Sequence, residues 1–113
     1  MMSKYGNRKM KAPDGQVFDS VKEYHRWGCL RLLERAGKIS NLQRQVKYVL
    51  VPAQRDQNGK LIEREVSYYA DFVYIDNAMG TVVVDDVKGV RTDLYKCKKK
   101  LMLWVHGIRI IET

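Results

Sequence analysis

The sequence predicts an α/β domain in which two helices flank one mixed β-sheet. Two segments combine a helix-start signal with helical spacing, and three consecutive segments between them have the apolar or alternating pattern of strands. Turn residues separate these three segments, which favours an antiparallel meander. With 113 residues, the chain is long enough for one hydrophobic core, so we expect a single domain.

The N-terminal part divides into an arm and the start of the first helix. Residues 1–17 are expected to form a basic arm with a possible small hairpin that turns at Pro13-Asp14-Gly15, and the main domain is expected over residues 18–113. The run Ser20-Val21-Lys22-Glu23 has the form of a capping box and predicts a helix that continues to about Ala36 and ends at Gly37.

The first helix has apolar residues on two sides, so we expect it to contact the sheet and a second surface such as another subunit. One side contains Val21, Gly28, Leu32 and Ala36, and nearly the opposite side contains Glu23, Trp27, Leu30 and Glu34.

The three strands follow in order. Residues 42–51 alternate, with Leu42, Val46, Tyr48 and Leu50 on one face and Gln43, Gln45 and Lys47 on the other. A polar excursion with a hairpin turn at Asn58-Gly59 precedes a strand predicted over residues 61–75. After a turn at residues 77–80, the third strand is predicted to end at Lys88.

A second helix is predicted from a cap at Thr92 or Asp93 to about Val105, followed by a short closing strand over residues 108–111. We expect its core face to contain Leu94, Cys97, Leu101 and Val105, with Lys96, Lys99 and Lys100 facing away. Trp27, Trp104 and most tyrosines are expected in the core rather than as platforms for base stacking.

Charge is the strongest compositional signal. The chain has 21 lysines and arginines against 13 acidic residues, a net charge of +8, which favours a polyanionic partner such as nucleic acid. The cations are concentrated before the first acid and directly after the third strand: Lys4, Arg8, Lys9, Lys11, and Lys88, Arg91, Lys96, Lys98, Lys99, Lys100. The alternative is an ordinary solvated surface.

Several functional classes are not expected. The two cysteines and two histidines lack the spacing of a structural zinc site. Apolar runs are shorter than the roughly 20 residues that span a bilayer, and the N-terminus lacks an apolar signal core. We therefore expect a cytoplasmic location and no membrane partner.

The chemistry-bearing residues are two acids and a lysine on neighbouring strands. Asp86 and Lys88 are two residues apart, so their side chains should point to the same side, while Asp85 should point to the other. Asp71 is an isolated carboxylate in an apolar strand. Converging carboxylates attract a hard divalent cation, and a nearby lysine can stabilise phosphoryl oxygens. The competing interpretation is a structural ion pair.

The order of these elements, with Asp71 on the second strand and Asp86-Val87-Lys88 on the third, resembles the restriction-endonuclease-like nucleases that carry the motif PD-(D/E)xK. Similarity is greatest to small phage and prophage members related to Holliday-junction resolvases and phage endonuclease I. It covers roughly residues 18–113 and includes the helix opening Phe18-Asp19-Ser20-xx-Glu23. In this chain Ala70 replaces a frequent proline and Asp86 replaces the commoner glutamate.

The resemblance implies a nuclease domain with a restriction-endonuclease-like core over residues 18–113 and a catalytic set of Glu23, Asp71, Asp86 and Lys88. Asp71 and Asp86, with Glu23, would bind Mg²⁺, for which Mn²⁺ could substitute, and Lys88 would orient the attacking water. Glu23 could instead be only the third member of the capping box. If the chain is phage-encoded, its location would be the host cytoplasm.

Nucleic-acid contacts are predicted for cations around this site and for one glutamine: Lys4, Arg8, Lys9, Gln45, Arg91, Lys96, Lys99 and Lys100. Gln45 could alternatively be a solvated strand residue. The leading hypothesis is a Mg²⁺-dependent endonuclease that cleaves branched DNA as a homodimer, since one small chain has one site and two paired nicks need two. The alternatives are a non-catalytic DNA-binding module and a flap or single-strand nuclease.

Overall fold

A computed structural model describes residues 9–113, in which one four-stranded sheet lies between two helices. The elements are β1 Met10–Lys11, β2 Val17–Phe18, α1 Val21–Arg35, β3 Ile39–Val51, β4 Gln54–Arg55, β5 Leu61–Glu63, β6 Val66–Asp76, β7 Thr81–Asp86, α2 Asp93–His106 and β8 Ile111–Glu112. Within these residues, no helix is long and apolar enough to cross a membrane.

The central sheet has the strand order β3-β6-β7-β8. β3, β6 and β7 are antiparallel neighbours, and β8 pairs parallel to β7. The predicted meander is therefore confirmed, and the sheet is mixed. The closing strand is present but comprises residues 111–112 and not the predicted 108–111, because the Ile108 N–H still bonds the Met102 carbonyl at the end of α2. The small hairpin β1–β2 is also present, with Gly15 at a φ of 91° in its turn, a backbone conformation that favours glycine.

A separate core lies on each face of the sheet. α2 covers one face, where Met102 packs with Ala70 and Val84. α1 covers the other, where Leu30 packs with Phe72 and Tyr74. Because consecutive strand residues point to opposite faces, β6 and β7 contribute to both cores.

α1 agrees with its predicted boundaries. Ser20 is the N-cap, its hydroxyl accepts a hydrogen bond from the Glu23 N–H, and Gly37 follows the helix with a φ of 75°. The side that bears Glu23 and Leu30 is buried, whereas Leu32 on the other side is 63% exposed. A second surface against that side stays a prediction.

The strand predicted over residues 61–75 is wrong as a single element. It divides into β5, which pairs only with β4 in a separate hairpin, and β6, which enters the central sheet. All three residues of β5 are exposed, because the hairpin that it forms with β4 lies outside the central sheet. The predicted turn at Asn58-Gly59 is present, and Gly59 has a φ of 83°.

The predicted core face of α2 is wrong at three of its four positions. Leu94, Cys97 and Val105 are exposed, and only Leu101 packs against the core. The buried residues of this helix are Tyr95 and Met102. Trp104, expected in the core, is 86% exposed. Apolar residues surround most of this helix, so helical spacing alone could not identify the face that the sheet covers.

Candidate functional site

The predicted acids and lysine meet where β6 and β7 separate at one end of the sheet. The β6–β7 pairing begins at Phe72 and Asp85, so Asp71 lies just outside the ladder. β7 ends at Asp86, two residues earlier than predicted, because the Val87 N–H donates to the Asp71 carboxylate at 2.9 Å instead of to a strand. A side chain thus replaces a backbone partner at this point.

Asp86 and Lys88 lie on the same side, as strand alternation predicts. The Lys88 ammonium is 3.1 Å from Asp86 Oδ2, and the Tyr68 hydroxyl donates to the same oxygen at 2.6 Å. Asp86 is only 1% exposed. A carboxylate at this depth requires such partners, since an isolated buried charge is costly.

Asp71 and Asp86 are neighbouring carboxyl groups that interact electrostatically. Burial raises the pKa of Asp71 far above its ordinary value, and the neighbouring charges of Asp86 and Glu23 raise it further. In the absence of a cation, Asp71 therefore keeps its proton at pH values where an exposed aspartate would lose it.

Glu23 has a capping contact and a site contact at once. Its backbone N–H bonds Ser20, while its carboxylate is 3.5 Å from the Arg44 guanidinium. Burial raises the pKa of Glu23, as does the charge of Asp19, and the charge of Arg44 lowers it. The cap therefore uses the backbone and leaves the carboxylate available to the site.

Gln45 connects the acids. Its amide nitrogen is 3.3 Å from Asp71 Oδ1 and 3.4 Å from Glu23 Oε1. Gln45 has a φ of 51°, a left-handed conformation within β3 that is rare for any residue except glycine. Simple alternation grouped Gln45 with Gln43 and Lys47 and did not predict these contacts.

Asp85 lies on the opposite face, as predicted. Its Oδ2 accepts hydrogen bonds from Arg26 at 2.7 Å and from the Tyr74 hydroxyl at 3.0 Å, and its Oδ1 accepts one from Thr113 at 2.8 Å. These contacts join α1 to the end of β7. Asp85 is completely buried, so the network offsets the cost of its charge.

A cleft of about 170 Å³ opens over the site and is lined by Asp19, Ser20, Glu23, Asp71, Val87, Lys88, Gly89 and Val90. It shares Lys88 and Gly89 with a wider hollow of about 490 Å³, which also contains Arg91 and Lys96. A third cleft of about 430 Å³ shares Arg91 and Lys96 and continues along α2. The second and third clefts, which we call the basic groove, lead from the acids along one side of the protein.

The basic groove contains four of the cations predicted to bind nucleic acid: Arg91, Lys96, Lys99 and Lys100. It also contains Arg109, which the sequence analysis missed although it is a lone cation in an apolar segment. Glu112 pairs with Arg91 at 2.8 Å and with Lys99 at 3.3 Å. Lys9 is exposed and lines none of these clefts, and Lys4 and Arg8 lie outside the described residues.

The donor set fits a hard divalent cation held by two carboxylates. Across residues 9–113, no group of three or more histidine, cysteine, aspartate or glutamate side chains is arranged to hold a metal ion. Mg²⁺ commonly binds through only one or two carboxylates plus water and substrate phosphate. Asp71 and Asp86 can supply those oxygens, and a cation would neutralise the acid pair, whereas Glu23 contacts Asp71 through Gln45.

A family model described as "Protein of unknown function (DUF1064)" matches residues 2–106, so the chain belongs to this family. The comparisons with curated proteins and with solved structures found no match.

Proposed function

We propose that this member of the DUF1064 family is a Mg²⁺-dependent DNA endonuclease with a restriction-endonuclease-like core. The observation that supports it best is the meeting of Asp71, Asp86 and Lys88 at the end of β6 and β7, next to the basic groove. A phosphodiester held there would have oxygen ligands for a cation on one side and an ammonium on the other. This is the set of groups that phosphodiester hydrolysis needs.

Each residue has a defined part in this proposal. Asp71 and Asp86 hold the cation, which when bound supplies Lewis-acid activation of water and charge neutralisation at the phosphate. Lys88 stabilises the charge that develops on the phosphate oxygens and orients the attacking water. Gln45 fixes the positions of the Glu23 and Asp71 carboxylates relative to each other, because its amide nitrogen bonds both. Glu23 adds negative charge beside the cation site.

The basic groove orients the substrate. Phosphates bind cations through a largely sequence-independent electrostatic attraction, so the groove favours DNA backbone over any particular base sequence. Within the proposal, the substrate is branched DNA such as a four-way junction, and a homodimer in the cytoplasm makes the paired nicks that one site cannot make.

The first experiment compares labelled four-way junction, duplex and single-stranded DNA, each with Mg²⁺ and with EDTA. Cleavage of the junction with Mg²⁺ alone is expected. Cleavage confined to single strands would indicate the flap or single-strand alternative, and binding without cleavage under all conditions would indicate the non-catalytic module.

Variants then test the site. Asp71→Asn and Asp86→Asn should each abolish cleavage and preserve DNA binding, because the carboxylate charge is needed for the cation and not for the core. Glu63→Gln on the exposed strand β5 removes the same charge away from the site and is the matched control. Full activity in either aspartate variant would reject the cation site.

A further inference from the structure

Tyr68 is a buried tyrosine with a partner in the site. It lies on β6 and is 4% exposed, and its hydroxyl group donates a hydrogen bond to Asp86 Oδ2 at 2.6 Å. The bond restricts rotation of the Asp86 carboxylate.

Tyr95 on α2 contacts Lys88, the ion-pair partner of Asp86. The Lys88 ammonium lies 4.0 Å from the centre of the Tyr95 ring, a distance typical of a cation–π contact. The Tyr95 hydroxyl donates to Glu112 at 2.8 Å, which holds the ring from its far end. Tyr95 is 7% exposed, so the ring is packed in place.

Lys88 therefore lies between two fixed groups, the Asp86 carboxylate at 3.1 Å and the Tyr95 ring. A lysine side chain has four rotatable bonds, and holding it in one place normally costs conformational entropy. The two contacts offset this entropy cost in the free protein, before a substrate binds. Pre-organised groups of this kind contribute more to catalysis than mobile ones.

We propose that Tyr68 and Tyr95 are positioning residues of this site, in which Tyr68 orients the Asp86 carboxylate and Tyr95 holds the Lys88 ammonium over the cleft. The inference rests on the proposed nuclease function. Each tyrosine is expected to affect a different measurable quantity. Loss of the Tyr68 hydroxyl should change the affinity for the divalent cation, and loss of the Tyr95 ring should change kcat and the exposure of Lys88.

The test for Tyr68 measures Mn²⁺ affinity by calorimetry in the full-length protein. Tyr68→Phe should weaken Mn²⁺ binding roughly tenfold, the lower end of the effect seen when the partner of a metal ligand is lost. Tyr74→Phe is the matched control, because it removes a buried tyrosine hydroxyl from Asp85, the neighbouring acid on the opposite face. Equal losses in both variants, or no loss in Tyr68→Phe, would overturn the role of Tyr68.

The test for Tyr95 removes its ring and compares the result with removal of an exposed ring on the same helix. Tyr95→Leu should lower kcat about tenfold with little change in KM for DNA, whereas Trp104→Leu, which removes an 86% exposed ring that lines none of the three clefts, should remain near wild type. Lysine acetylation followed by mass spectrometry gives a second readout: Lys88 should react faster in Tyr95→Leu, with exposed Lys60 as the internal reference. An unchanged Lys88 reaction rate in Tyr95→Leu would overturn the role of Tyr95.

These outcomes distinguish the inference from the proposed function. Mn²⁺ binding and cleavage by the wild type, with unchanged values in both tyrosine variants, would overturn the positioning roles alone. A wild type that neither binds Mn²⁺ nor cleaves DNA would overturn the nuclease proposal and this inference together.

Discussion

Glu23 illustrates how one residue serves local and tertiary structure with different atoms. Its backbone N–H bonds the Ser20 hydroxyl at the start of α1, and its carboxylate contacts Arg44 and Gln45 at the site. Of the predicted capping box, the described contacts include the bond to the Ser20 hydroxyl but no bond from the Ser20 N–H to the Glu23 carboxylate. Removing the negative charge of Glu23 therefore tests its part in the site.

Glu23→Gln tests that charge. Because the backbone cap is untouched, the melting temperature should change little, apart from the weakened contact with Arg44. If Glu23 supports the cation site, cleavage at low Mg²⁺ should fall by roughly tenfold to a hundredfold, the range for groups next to metal ligands. Activity equal to wild type at limiting Mg²⁺ would leave Asp71, Asp86 and Lys88 as the whole site.

Asp71→Asn tests the raised pKa of Asp71. A carboxyl group whose folded pKa lies above its unfolded value stabilises the fold at low pH, and that stability is lost as the pH rises through the folded pKa. Asparagine resembles the protonated form and can still accept the Val87 hydrogen bond. In EDTA, the variant should gain in melting temperature relative to wild type between about pH 5 and pH 9. A difference independent of pH would contradict the raised pKa.

At the scale of elements, α2 has three distinct sides. Tyr95 and Met102 face the sheet, Lys96 and Lys100 line the basic groove, and Leu94 and Trp104 are exposed. Amphipathic spacing indicated a helix here but identified the wrong apolar side. The correct side depends on contact with β3 and β6, which are far away in sequence.

A pair of α2 variants tests this orientation. Met102→Ala removes a side chain with 0% exposure and should cost about 2–5 kcal/mol in the free energy of unfolding. Leu94→Ala removes a side chain that is 64% exposed and should change it by about 0.5 kcal/mol or less. Urea unfolding of both variants provides the measurement. A larger loss for Leu94→Ala would favour the orientation that sequence spacing predicted.

At the scale of the whole molecule, the net charge of +8 is distributed unevenly. Arg91, Lys96, Lys99, Lys100 and Arg109 line one groove, and Glu112 is the one acid among the described residues that lines it. The groove is continuous with the cleft that contains Lys88. This arrangement predicts that DNA affinity depends on the position of the cations more than on their number.

The triple variant Lys96→Gln, Lys99→Gln and Lys100→Gln tests that prediction. DNA binding should weaken, and the slope of log affinity against log salt should fall by up to about 0.9 per lost phosphate contact. The control variant Lys38→Gln, Lys60→Gln and Arg64→Gln removes equal charge from exposed positions outside the groove. In the control, both the DNA affinity and its slope against salt, measured from low to high salt, should stay close to the wild-type values. Equal slopes in the two variants would reject the groove as the DNA path.

The sequence by itself determined the features that depend on neighbours along the chain. The caps at Ser20 and Thr92, the turns, the meander and the shared side of Asp86 and Lys88 follow from local hydrogen bonding and from the alternation of a strand. Only the tertiary structure decided the buried side of α2, the division of β5 from β6 and the turn of Gln45 toward Glu23 and Asp71. These depend on which distant segments pack together, and local spacing contains no information about that choice.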